Sequence, residues 1–421
     1  MVPKANSILN QRGFVALWTG QTVSSLGSQL SGIAFPVLAV ASLHANEFQM
    51  GALNTANTLS FLAVGLIAGA WVDRWIKRRV MIVADVIRLA ATAMIPVLWF
   101  SGVLAFWHLL IISAVLGLAT VFFDVAYQSY LPILLDKEHI GTGNARLETT
   151  SQITNVASPG IVGQLIAFTS APFVIVIDAI SFGVSAFSLM TIRDREVPKP
   201  KTDRKPLRTE IAEGLRFVGS QRLIQAISAN TAVGNFFTTI ATTMIPLLLL
   251  RDLKMPLGLY GLAFSMAAFG GLLGATLTPR LIKLIGEGQL IVSSSVLLAF
   301  AGLSQLLLFV VPAQFAAAVM IPAEFFTSFT VLTYNITQVT ARQRLCPEHL
   351  LGRMNASIRF MVWGVMPIGA YVSGVLGSAF GIAVPIFVGF IGATIAPLFT
   401  LFSPLRTMRE MPKTEAEGAA L

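Results

Sequence analysis

The sequence has little charge and almost no cysteine. Of its 421 residues, 12% are charged, whereas roughly 25% are charged in an ordinary soluble protein. A soluble domain of this size needs about twice as many charged residues to cover its surface. A soluble enzyme, a disordered chain and a nucleic-acid binder therefore all fit poorly. The single cysteine, Cys346, excludes an intrachain disulfide and a cysteine metal cluster.

Patterns that bind nucleotides or metals are also missing. The sequence contains no P-loop, and its four histidines have no ligand-like spacing: His44, His108, His139 and His349. It shows no cluster of His, Asp and Glu and no nucleophile constellation. We therefore expect no metal site, no cofactor and no enzymatic activity, and uphill movement of a solute would draw on an ion gradient.

Hydrophobic residues make up 55% of the chain and form long charge-free runs. These runs reach or exceed the roughly 20 residues that a helix needs to cross a bilayer. The run Phe360–Leu405 is long enough for two helices, because glycines and Pro385 supply a turn in its middle. The sequence thus predicts an all-α membrane protein with twelve spans: about 14–42, 47–72, 80–101, 105–130, 145–169, 172–192, 222–250, 257–284, 288–311, 313–341, 350–377 and 382–404.

The basic residues predict the orientation of the spans. If both termini are cytoplasmic, 25 of the 29 Lys and Arg residues lie on the cytoplasmic side. Arg251 and Lys254 then lie outside, and Arg88 and Arg359 lie within spans. This asymmetry follows the positive-inside rule. Topology therefore explains the net charge of +9, and we expect the lipid bilayer rather than a nucleic acid as the partner.

The longest polar interruption divides the chain into two halves. We predict an N-terminal six-helix bundle over 1–192, a basic cytoplasmic linker over 193–221, a C-terminal six-helix bundle over 222–405 and a cytoplasmic tail over 406–421. Apolar residues at 207, 211, 215 and 218 favour an amphipathic helix on the membrane face. A solvated linker with one helical turn is the alternative.

The halves repeat at a constant offset of 210 residues. The matches are Gln11-Arg12 with Gln221-Arg222, Pro36 with Pro246, Gly51 with Gly261, and Glu138-His139 with Glu348-His349. Duplicated six-helix units that begin on the same side are related by a pseudo-two-fold axis along the membrane normal, and they can rock about a site at their interface. The repeat therefore predicts alternating access, and one chain encloses its own pathway, so we expect a monomer.

Ionisable residues within spans are expensive and usually face a cavity or a partner. They are our candidates for proton coupling or for the substrate cavity: Glu324, Asp178, Arg359, Arg88, Asp85 and Glu148. Each has a structural alternative. Asp85 and Arg88 are three residues apart and could neutralise each other. Glu148 could be a helix N-terminal charge favoured by the dipole, and Asp124 could pair with the basic loop 77–79.

One loop carries a family resemblance. The segment between the second and third spans reads Gly69-Ala-Trp-Val-Asp73-Arg74-Trp-Ile-Lys77-Arg78-Arg79. It resembles the signature loop of the major facilitator superfamily, G-x-x-x-D-R-x-G-x-R-R, with Ile76 in place of the loop glycine. Further segments resemble the branch with macrolide-efflux-like and enterobactin-exporter-like proteins: 123–132, 144–148, 159–163, 178–182 and 355–367.

The resemblance implies a fold of two six-helix bundles and, often, proton-coupled export of amphiphilic compounds. Within the signature loop it implies that Asp73 contacts the N-terminus of the eleventh span. It places Gly69, Arg74 and Arg78 in the same gating network, which latches the outward-open state. Asp124 lies at a depth that could join this network, since a carboxylate suits a helix N-terminus.

A helix-bending motif in the fifth span adds to the resemblance. Pro159, Gly160 and Gly163 correspond to a motif associated with antiporters, although the fuller glycine pattern that precedes it in the family is absent here. Bending is expected because proline and glycine weaken a helix. Ordinary helix packing is the alternative interpretation.

Together these features predict a secondary active exporter in a bacterial inner membrane. Its substrate would be an amphiphilic small molecule of the drug, macrolide or siderophore type, exchanged against protons that Glu324 or Asp178 carries. Uptake or passive equilibration by the same fold is one alternative. A non-transporting receptor or assembly factor is another.

Overall fold

The computed structural model describes residues 11–72, 74–135, 169–192, 196, 207–347 and 350–412, together with isolated positions between 139 and 165. Most of the predicted fifth span, 145–169, lies outside these residues. Ten of the described helical segments are long and apolar enough to cross a membrane. Helical structure of this kind satisfies the backbone polar groups within each segment, which lipid cannot do.

The described N-terminal helices follow the predicted spans within a few residues. They are α1 (Arg12–Val37, extended by a π-helical turn at Leu38–Ser42), α2 (Glu47–Val72), α3 (Lys77–Phe100), α4 (Phe106–Leu134) and α5 (Ala171–Thr191). Helix α5 corresponds to the predicted sixth span.

The linker helix comes next, and the C-terminal helices follow it. They are α6 (Leu207–Ser220), α7 (Arg222–Thr242), α8 (Leu257–Ile285), α9 (Glu287–Ser304), α10 (Ala316–Leu345), α11 (Leu351–Phe380), α12 (Ala383–Ala393) and α13 (Ala396–Leu401). Gly381 ends α11 with a φ of 80°, a left-handed conformation that glycine adopts readily. The predicted turn within the long apolar run therefore lies at this residue.

Connectivity defines two ends of the molecule. We call the end that carries the chain from α5 into α6 and α7 the linker end, and the opposite end, with the loop 43–46, the far end. Helix α1 packs on α5, α2 packs on α4, and α3 packs on α4. In the C-terminal half, α7 packs on α12, α8 packs on α10, and α9 packs on α10. The two halves repeat these three contacts.

Helices α2 and α11 make the main described contact between the halves. A Cβ atom on Gly51 would lie 2.5 Å from the Cα of Gly374, so the two backbones meet directly. Nearby, the Thr55 hydroxyl donates to the carbonyl of Pro367 at 3.3 Å, and the Asn54 amide donates to the Thr243 hydroxyl at 2.8 Å. Backbone contact and polar side chains therefore join the halves at and near the far end.

The buried apolar residues show that the halves share one core only at the far end. The far-end core includes Leu38 and Val40 from the N-terminal half with Leu247 and Leu249 from the C-terminal half. Toward the linker end, the described buried residues form two separate cores, one built from 14–192 and one from 217–411. The described part of the molecule is thus closed at the far end and divided at the linker end.

The linker helix α6 is present where the apolar spacing predicts it, and it packs on the protein. Helix α6 lies against α7 and the start of α11. Gly214 allows this contact, because a Cβ there would lie 2.6 Å from the carbonyl oxygen of Arg353. Glu213 forms an ion pair with the same arginine. These contacts with α11 hold the amphipathic helix on the protein.

We expect Gly51→Val to weaken the joint between the halves. The added side chain would overlap the α11 backbone, and overpacking of this kind costs roughly 1–3 kcal/mol. Thermal unfolding in detergent should show a lower midpoint than wild type. The matched control is Gly32→Val in α1, where a Cβ would meet no atom within 4 Å. Equal midpoints for the two variants would contradict the contact.

Candidate functional site

Glu324 lies in α10 among polar side chains of the C-terminal half. The Gln305 amide donates to its Oε1 atom at 3.4 Å. Tyr260 on α8 lies within electrostatic range of the same carboxylate and is buried, as is Gln305. Within the described residues Glu324 forms no ion pair. A carboxyl group held by a weak amide contact, without a fixed cation, suits reversible protonation.

A second set of charges lies inside the N-terminal half. Asp85 and Arg88, three residues apart on α3, form a buried ion pair. The Arg88 guanidinium lies 4.1 Å from the ring centroid of Phe123 and 4.5 Å from that of Phe182, so two aromatic faces sandwich the cation. The structure thus brings the pair together as mutual neutralisation predicts, and rings from α4 and α5 complete the site.

Asp178 faces α1 from α5 and is buried. The Ser181 hydroxyl donates to its Oδ1 atom at 3.3 Å, and a Cβ on Gly27 would lie 2.7 Å from that oxygen. Only 2% of Asp178 is exposed. This acid therefore lies between two helices of one half.

Asp124 and Arg359 lie in opposite halves and interact electrostatically. Asp124 on α4 is within range of both Arg88 and Arg359. Arg359 is exposed on α11, with its guanidinium 5.3 Å from the Trp363 ring. No ion pair joins this cation to Glu324 among the described residues.

The basic loop at the linker end is held by an acid that sequence reasoning missed. The Lys77 ammonium lies 3.2 Å from Glu196, and both side chains are buried. Glu196 also accepts the backbone N–H of Lys77 at 3.0 Å, so it caps the first turn of α3. Arg78 donates to the carbonyl of Ile192, and Arg74 is exposed. The segment that follows α5 therefore anchors this loop.

The C-terminal half has a related contact at the same point of the repeat. Glu287 begins α9, 210 residues after Lys77, and its backbone N–H donates to the carbonyl of Arg409 at 2.9 Å. The segment after the last helix thus docks on the first turn of the third helix in each half. The ion pair differs, because Glu287 pairs with Arg344 of α10 at 2.6 Å rather than with a residue of that segment.

An ion pair between the halves lies at the far end. Arg251 donates to Glu47 at 2.8 Å and to the adjacent Asp252 at 2.7 Å. The arginine side chain is 40% exposed, so solvent screens the pair and its contribution is small. This ion pair lies over the far-end core, where a solute would enter from the far end.

Several predicted site residues lie outside the described part of the chain: Asp73, Glu148, Pro159, Gly160 and Gly163. Gly69 belongs to α2. The gating network around the signature loop and the bend in the fifth span therefore remain predictions.

Comparison with known proteins identifies related transporters. A family model described as "Transmembrane secretion effector" matches residues 4–418. The multidrug efflux pump Tap of Mycobacterium tuberculosis is 26% identical over 370 residues, which cover 86% of each chain. Macrolide efflux protein A of Streptococcus pyogenes is 24% identical over 189 residues, 44% of this chain and 45% of that protein.

Two further comparisons bear on the family and the fold. The uncharacterized MFS-type transporter YfiS of Bacillus subtilis is 27% identical over 64% of each chain. A bacterial homologue of the iron transporter ferroportin, solved in an inward-facing state, superposes with a TM-score of 0.72 at 17% identity, covering 94% of this chain and 98% of that one. The fold is therefore that of the major facilitator superfamily, as the sequence predicts.

We expect the buried pair of Asp85 and Arg88 to support the N-terminal half. Arg88→Gln leaves a buried carboxylate without its cation, a change that typically costs about 3–5 kcal/mol. The double variant Asp85→Asn and Arg88→Gln removes both charges and should recover much of the loss. Thermal unfolding measures both, with Arg79→Gln on the exposed face of α3 as the control. A single variant as stable as the control would contradict the role.

Proposed function

We propose that this chain, which belongs to the transmembrane secretion effector family of the major facilitator superfamily, exports amphiphilic small molecules in exchange for protons. The chain is a multi-pass membrane transporter. The observation that carries the proposal is the arrangement of the cores, with one shared core at the far end and two separate cores toward the linker end. A transporter that loads solute from the linker end must pass through a state that is closed at the far end and open at the linker end.

The basic residues support a cytoplasmic linker end. Lys77, Arg78 and Arg79 form the first turn of α3 there, and Arg353 lies in the first turn of α11 there. Cytoplasmic loops carry such an excess of Lys and Arg, so both termini are cytoplasmic in our proposal. A solute would then enter from the cytoplasm, and export would follow when the far end opens.

We assign the proton to Glu324, with Asp178 as the second candidate. Glu324 lies within a membrane-spanning helix, and the described residues give its carboxylate the Gln305 amide at 3.4 Å and no cation. In the outward-open state a proton from outside would neutralise Glu324 and accompany release of the solute. The halves would then rock back, and the proton would leave to the cytoplasm.

The gating network belongs to the outward-open state of this cycle. In that state the linker end must close, which would bring the signature loop with Asp73, Arg74 and Arg78 to the start of α11. Asp124 would then approach Arg359 from the opposite half, since the two already interact in the present state. The Lys77–Glu196 contact would keep the loop anchored to the N-terminal half throughout.

Two relatives of known activity class support the substrate class. Tap is a multidrug efflux pump, and the Streptococcus protein is a macrolide efflux protein. We place this chain in a bacterial inner membrane as a monomer and assign it no enzymatic reaction. Amphiphilic drugs are the first substrates to test.

We expect Glu324→Gln to abolish proton-driven accumulation of solute. Inverted membrane vesicles, which expose the cytoplasmic face, should take up fluorescent amphiphiles when the interior is acidified. The variant should bind the dyes and exchange them passively but should not concentrate them. A glutamine amide cannot gain and lose a proton as a carboxyl group does. Glu410→Gln, at an exposed position of the same half, is the matched control.

Two results would contradict this proposal. Full accumulation by both Glu324→Gln and Asp178→Asn would remove proton coupling at these acids. Accumulation that runs only into right-side-out vesicles would establish uptake in place of export.

A further inference from the structure

We infer that Arg342 and Arg359 together bind an anionic group on the transported solute, in the opening between the two halves. The inference rests on the proposed function and names the chemical class of its substrate: an amphiphile that carries a carboxylate or a similar oxyanion. Both arginines belong to the C-terminal half, one on α10 and the other on α11.

Arg359 points from α11 toward the N-terminal half. Residues four apart share one face of a helix. On this face Pro367 contacts Thr55, and the Trp363 ring meets the Phe61 ring edge-on at 5.0 Å between centroids. Arg359 is the next residue of the row toward the linker end, where the cores of the halves are separate, and it is exposed. Its guanidinium therefore faces the opening.

Arg342 approaches the same place from α10. Its Nε atom is buried and has no hydrogen-bond partner among the described residues. It lies within electrostatic range of Arg359, which repels it, and of Tyr334. Tyr334 is fixed inside the C-terminal half by hydrogen bonds from Asn230 at 2.8 Å and with Thr231 at 2.7 Å. The arginine thus keeps an unpaired N–H donor close to Arg359.

Two neighbouring guanidinium groups without a fixed counter-charge are costly at this depth. Arg359 lies eight residues into α11, about 12 Å along the helix axis. Neither arginine forms an ion pair among the described residues. Among the described residues, Asp124 lies within range of Arg359, and it also interacts with Arg88 in its own half. An anion that enters the opening would supply the missing charge.

The surroundings also select the shape of the ligand. Guanidinium groups bind planar oxyanions through paired hydrogen bonds, and carboxylates are the best match. The Trp363 side chain beside Arg359 is 37% exposed and offers an apolar face. The site therefore fits an anionic head joined to an aromatic or aliphatic body.

The test compares two dyes that share a xanthene ring and differ in charge. The protein is placed in nanodiscs of phosphatidylcholine, and binding of fluorescein, an anion, and rhodamine 123, a cation, is measured by fluorescence anisotropy. We expect wild type to prefer fluorescein. Arg342→Gln and Arg359→Gln should each weaken fluorescein binding roughly tenfold or more, with rhodamine 123 binding unchanged.

The controls separate charge recognition from folding. Arg406→Gln removes the same charge at an exposed position of the C-terminal half and should bind like wild type. Arg359→Lys keeps the charge and should recover part of the affinity. Thermal unfolding confirms that each variant is folded, and a variant that fails to fold is replaced by its lysine counterpart.

A wild-type protein that prefers rhodamine 123, or that binds neither dye, overturns the inference. It is also overturned if phosphatidylglycerol added to the nanodiscs occupies the site while fluorescein does not, since the anion would then be a lipid headgroup. These results are distinct from failure of the proposed function. Selective fluorescein binding without proton-driven transport would leave the anion site in place and remove the export mechanism.

Discussion

The contact between α2 and α11 determines how the two halves can move. At Gly51 and Gly374 the backbones touch, because neither residue has a side chain to keep the helices apart. Polar contacts flank this point, from Thr55 to Pro367 and from Asn54 to Thr243. A joint of this kind holds the halves together and leaves room for rotation about it. In our account, that rotation replaces the opening at the linker end with an opening at the far end.

The cost of charge in a low-dielectric interior gives the ionisable residues different roles. Asp85 and Arg88 neutralise each other between aromatic rings, which suits a permanent structural pair. Glu324 has only an amide donor at 3.4 Å, which suits a group that gains and loses a proton. Arg359 faces the opening with its charge against an indole ring, which suits a group that binds a ligand. Our mechanism follows from these three degrees of compensation.

Local features of the chain could be predicted from sequence, and contacts between distant segments could not. Span limits follow from apolar runs, and the pairing of Asp85 with Arg88 follows from their spacing of three residues. The contact of Gln305 with Glu324 joins two helices, and no periodicity in the sequence predicts it. Glu196 lay in a polar linker, where nothing distinguishes a solvated acid from a buried cap. Arg342 lies in the last turn of α10, where basic residues are common, and nothing in the sequence shows that its Nε atom is buried without a hydrogen-bond partner among the described residues.

Distances between spin labels across the two halves test alternating access most directly. In a Cys346→Ser background, one pair at Ser101 and Val310 reports on the far end, and one pair at Arg79 and Leu284 reports on the linker end; all four positions are exposed. The account predicts that acidification shifts the populations in opposite directions, with longer far-end distances whenever the linker-end distances shorten. Distances that stay fixed at both ends, or that lengthen together, would contradict it.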